Sequence, residues 1–142
     1  MNRAKPAGMA LAAAMVLAVS AASAEPGDAR ARRNYTLHCA GCHLPDGSGA
    51  PEQGVPAMRG VLIAFQKVPG GRDYLAQVPG VMNSGLSDYE IAELMNWLIP
   101  QMAGQPPAYS AAEIARLRAS RPVDIVAARM QLIEKMPTDR RP

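Results

Sequence analysis

The chain's two cysteines stand three positions apart and are followed at once by a histidine, in the run Cys39-Ala40-Gly41-Cys42-His43. No other stretch limits the possible folds so tightly. Two thiols and a trailing imidazole at this spacing form the attachment pattern of c-type haem. Each thiol can add across one vinyl group while His43 brings its ring under the iron, so that tether and axial ligand arrive together. A structural zinc would need a second pair of ligands, and the chain offers only one further histidine, His38, beside the motif. The plainer reading is a thiol redox pair or an incidental disulfide. A redox pair of this kind belongs after a strand and at the start of a helix, and the flanking residues carry no strand pattern.

Upstream, residues 1–24 hold Arg3 and Lys5, an Ala, Met, Leu and Val run to about Val19, and then Ala22-Ser23-Ala24. That is the layout of a secretory signal peptide with a small-residue cleavage site. The apolar run is shorter than the roughly 20 residues a spanning helix needs, so cleavage before Glu25 is expected, with no membrane span afterwards. The formal charge of +3 rests on 15 basic against 12 acidic residues. Without Arg3 and Lys5 the balance is near neutral, which gives no footing for nucleic-acid binding. Export also places the cysteines in an oxidising compartment, the expected location being the periplasm.

The mature length suits one domain, yet only six residues are aromatic: Tyr35, Phe65, Tyr74, Tyr89, Trp97 and Tyr109. A core this poor in large rings lacks bulk, and one haem would give the small aliphatic side chains a broad apolar plate to pack around.

Along the chain, residues 28–42 permit a helix ending on the motif, and residues 44–56 are broken by repeated Gly and Pro into a loop. Met58 to Val68 reads as a short helix, Arg72 to Val78 as another turn, and Val81 to Leu86 as a loop. The best helix signal follows. Ser87 and Glu90 make a capping box, and Ile91, Leu94, Met95 and Leu98 fall on one face, with Pro100 ending the run within a few residues. A second box, Ser110 and Glu113, starts a further helix; Pro122 interrupts it, and a last helix covers about Val123 to Met136. No segment alternates as a strand does. The expected organisation is a leader over residues 1–24, an all-α haem domain over 25–103 and a helical extension over 104–142. The extension's helices are too short to stand alone and must cover one side of the haem domain or serve as a docking arm.

A helix, the Cys39 to His43 motif, a Gly-rich loop, Pro56 two residues before Met58, and a capped helix with Trp97 near its end together resemble class I cytochrome c over residues 28–101. The segment from Pro69 to Tyr74, the Val78-Pro79-Gly80 turn and the Ser110 to Asp124 tail are similar to small exported bacterial cytochromes that serve dehydrogenases. The resemblance implies short helices wrapped around one covalently attached haem c, with Tyr35 meeting Trp97 where the first and last helices of that fold cross. It implies His43 as proximal iron ligand, held through its other nitrogen by the Pro56 carbonyl. Met82, in the loop before the capped helix, is implied as distal ligand. Met82 is followed by Asn83 where the family has proline, and Met58 is the alternative. Arg72 is a candidate for a haem propionate, since its fork suits a carboxylate.

The expected function is one-electron transfer with periplasmic partners, a dehydrogenase or quinol oxidoreductase on one side and an oxidase or other acceptor on the other. The alternative is a haem with an open or weakly ligated distal side that binds or activates a small molecule such as peroxide or nitric oxide. A dedicated cytochrome subunit of a larger enzyme is compatible with either.

Overall fold

The computed structural model describes Met1 and residues 26–104 and 107–141; apart from Met1, the expected leader falls outside these residues. Among the described residues, α1 (Pro26–His38), α2 (Ala40–His43), α3 (Val61–Gln66), α4 (Gly71–Gln77), α5 (Pro79–Met82), α6 (Asp88–Ala103), α7 (Ala111–Ala119) and α8 (Ile125–Glu134) follow in order. The extended pairing present among them is one isolated bridge, Ala50 to Val55. The all-α expectation holds for this part of the chain. No described helix is long and apolar enough to cross a membrane.

Local chemistry accounts for most boundaries. The Ser87 hydroxyl accepts from the Glu90 amide at 3.3 Å, while the Glu90 carboxylate accepts from the Ser87 amide at 2.9 Å, closing both halves of the capping box. The predicted stripe Ile91, Leu94, Met95 and Leu98 is buried. Pro100 sits inside α6, which runs three residues further to Ala103. Ser110 caps α7 by accepting from Glu113, but the Glu113 carboxylate turns instead to Arg72 at 3.0 Å. Further expectations need correction. The helix expected over Met58 to Val68 is shorter at both ends, α3 covering Val61–Gln66. Val81 and Met82 are helical, because Pro79 stands at the first position of α5, where a missing N–H costs nothing. Asp124 stands just outside α8, its carboxylate accepting from Val126 and Ala127 at 2.9 Å each, so that helix starts at Ile125.

Helix α1 lies across α6. Tyr35 meets Trp97 there, ring centroids 5.9 Å apart and tilted by 54°, and Arg30 grips Glu93 with two nitrogens, at 2.6 and 2.5 Å. A forked pair of this kind fixes orientation as well as charge. The extension packs back on this frame. Asn96 of α6 donates to the Tyr109 carbonyl and accepts from the Tyr109 amide, and the buried Gln77 of α4 donates to the Leu117 carbonyl at 3.0 Å. Ile114 and Leu117 of α7 are fully buried, so residues 107–141 share the core rather than hanging from it.

Candidate haem site

Cys39 ends the regular winding of α1, with φ −126° and ψ −43°, and α2 then carries the rest of the motif through His43. The single helix expected over residues 28–42 is thus broken at Cys39, and the motif straddles the break. The next residue, Leu44, has φ 63° and ψ 161°, a region that favours glycine and costs a leucine about 1–3 kcal/mol. The bend has anchors on both sides. The Tyr35 hydroxyl donates to the Leu44 carbonyl at 2.6 Å, and the Gly49 amide donates to the His43 carbonyl at 2.9 Å.

Past the bend, the Pro56 carbonyl oxygen lies 3.2 Å from His43 Nδ1. A carbonyl can only accept, so the contact requires the proton on Nδ1 and leaves the lone pair on Nε2. Gly49 makes room for it: a Cβ there would stand 2.7 Å from that same carbonyl oxygen, and its φ of +64° is one that side chains avoid. Burial lowers the His43 pKa, partly offset by the bond to Pro56. Burial raises that of the Cys39 thiol, with the neighbouring Cys42 adding to it. Cys39 is half-buried and Cys42 exposed, and neither is in a disulfide.

Cys39 and His43 border a cleft of about 370 Å³, within the range of cofactor pockets. Its inner wall is Leu62, Phe65, Leu75, Leu98 and Ile99, from α3, α4 and α6, and its rim runs through Val78 to Val81. Ile125, Val126 and Arg129 of α8 also belong to the lining. Phe65 and Tyr74 stack with centroids 4.9 Å apart, and the Arg129 guanidinium lies over Phe65 at 5.6 Å.

No family model, curated protein or solved structure matches the chain. The site therefore stands on its own geometry.

The structure gathers Cys39, His43, Pro56 and Met58 on one cleft; three expected residues lie outside that lining, Cys42 exposed on α2 and Met82 and Arg72 elsewhere. Met82 borders a separate hollow with Gly85, Leu86, Arg118 and Arg121; the thioethers on the main cleft are those of Met58 and Met95. Arg72 does meet a carboxylate, but that of Glu113, and it also donates to the Pro107 and Ala108 carbonyls while lying 3.6 Å over the Tyr109 ring. With its donors engaged there, it is a strut between α4 and the extension. The lining from α8 escaped the sequence reading because only tertiary packing brings it to the motif. The one available signal was Arg129, a lone cation amid the apolar residues of its helix. Among the described residues, no group of three or more His, Cys, Asp or Glu side chains is placed to hold a bare metal ion.

Proposed function

We propose that this chain is an exported class I c-type cytochrome that carries single electrons between periplasmic proteins. A haem c would be tethered through Cys39 and Cys42, with His43 Nε2 as the proximal ligand. The observation that carries the reading is the Nδ1 to Pro56 bond: it leaves Nε2 as the ring's lone-pair donor at an apolar cleft that Cys39 also borders, with Cys42 next to His43 in sequence. Hydrogen bonding of the second imidazole nitrogen fixes the tautomer and raises ligand basicity. The donor set fits haem better than thiol redox chemistry. Cys39 stands between α1 and α2 and Cys42 within α2, with no strand before them among the described residues, where a thioredoxin-type pair needs one.

When bound, haem supplies a one-electron couple at the iron. The polypeptide's part would be to hold the ring and to keep water from it with Leu62, Phe65, Leu98 and Ile99, while exposed Cys42 leaves the attachment motif open to a partner. Contacts between redox proteins are small and transient, and an exposed edge suffices for them. Donors of the dehydrogenase or quinol oxidoreductase class and an oxidase-like acceptor follow from the resemblance, which also allows a dedicated cytochrome subunit.

A second reading has one observation behind it. Met82 borders a different hollow from His43, so coordination by Met82 would need α5 and the turn after it to move. A distal side left open or weakly ligated would admit a small ligand such as nitric oxide or peroxide. Spectra of protein matured in a bacterial periplasm separate the two readings. The carrier reading expects a low-spin ferric spectrum with a methionine-to-iron band and a reversible one-electron titration. High-spin ferric haem that takes up cyanide readily would favour the second, and absence of haem would overturn both.

A further inference from the structure

The geometry points to Arg129, on the C-terminal extension, as the anion-holding residue of the cleft, pairing with a carboxylate of the bound cofactor. This rests on the haem reading, under which that carboxylate is a propionate. Four arginines are half-buried among the described residues: Arg30, Arg72, Arg118 and Arg129. Three of them hold carboxylates, namely those of Glu93, Glu113 and Asp88. Arg129 alone of the four has no hydrogen bond or ion pair, and its contact is the face of Phe65. It is also the one side chain with a permanent charge in the lining of the cleft. A half-buried cation without a counter-ion is costly, and this one faces an otherwise apolar space suited to a ring with acidic substituents. A guanidinium fork is matched to a carboxylate, and stacking on an aromatic face holds it ready.

The extension is then part of the cofactor site: Ile125 and Val126 line the same cleft, and Arg129 would take the charge of the bound group's carboxylate.

Arg129→Gln, Arg129→Lys and Arg72→Gln, each in the full chain matured in a bacterial periplasm, test the assignment. The readouts are the midpoint potential and the propionate bending band in resonance Raman spectra. Loss of a positive charge beside the haem favours the ferric state, so Arg129→Gln is expected to lower the potential and shift the band, while Arg72→Gln moves neither. Arg129→Lys keeps the charge but not the fork; it should hold the potential nearer the parent's and still shift the band. If Arg129→Gln does not accumulate, the Raman band of Arg129→Lys decides alone. Haem-loaded variants with parental potential and band would overturn the assignment. A chain that matures without haem would instead overturn the reading beneath it.

Discussion

The carbonyl oxygen of Pro56 lies 3.2 Å from Nδ1 of His43, across a loop of 12 intervening residues that doubles back on the motif. Three features of that loop serve the contact: the left-handed bend at Leu44, the Gly49 amide on the His43 carbonyl, and the missing side chain at Gly49. The imidazole is thus oriented by backbone alone, with no acidic partner needed to set its tautomer.

Gly49→Ala tests how much depends on that approach. A methyl group would press on the Pro56 carbonyl and also strain a φ of +64°, for a cost of about 1–3 kcal/mol. Urea unfolding of the matured protein should show that loss. Haem should stay covalently bound while its ferric spectrum changes, because the bond to His43 Nδ1 is displaced. An unaltered spectrum would mean that the imidazole is oriented by something else.

Met82→Ala should leave the ferric spectrum of the matured protein as it was, since Met82 borders the hollow with Arg118 and Arg121. Disappearance of a methionine-to-iron band in this variant would show that α5 rearranges to bring Met82 to the iron.

Arg72→Gln should destabilise without touching the chromophore. It removes a forked ion pair to Glu113 and two bonds to carbonyls that hold the start of the extension. Charged hydrogen bonds of this partly screened kind suggest a loss of about 2 kcal/mol, read from the urea midpoint, with absorption unchanged.

Tyr109 makes stability fall at alkaline pH. Burial is the main cause that pushes its phenol pKa above the usual 10.0, with Arg72 opposing and Glu113 adding, and its hydroxyl donates to the Arg72 carbonyl at 2.8 Å. A phenol whose pKa is raised on folding contributes fully below the unfolded value. The contribution is lost as pH rises from there toward the folded value, because the unfolded chain releases its proton first. Tyr35 and Tyr74 are raised by burial too, so the test is a comparison: Tyr109→Phe should lose about 1 kcal/mol at pH 7 and show a shallower decline above pH 10 than the parent. Equal slopes would remove Tyr109 from the account.

Much of this arrangement was legible from short-range chemistry. Ser87 with Glu90, and the apolar spacing behind them, marked α6 because capping and periodicity are local signals. Tyr35 opposite Trp97 and Pro56 behind His43 came instead from the family resemblance, which carries long-range information that no single window holds. The misses have the complementary cause. Gly and Pro around Val81 were read as breakers although Pro79 can open a helix. Glu113, read as half of a capping box, is drawn off by an arginine 41 positions earlier. Arg129 reaches the cleft only because α8 packs against α4, a relation invisible along the chain.

The central claim is a covalent link between this polypeptide and haem at Cys39 and Cys42, and intact mass after denaturation tests it most directly. Protein exported by a host with c-type maturation should weigh as the processed chain plus one haem, with the colour following the polypeptide through acid and organic solvent. Replacing both cysteines by alanine should remove that added mass. A parent chain whose mass is that of bare polypeptide, colourless after export by the same host, would contradict the account.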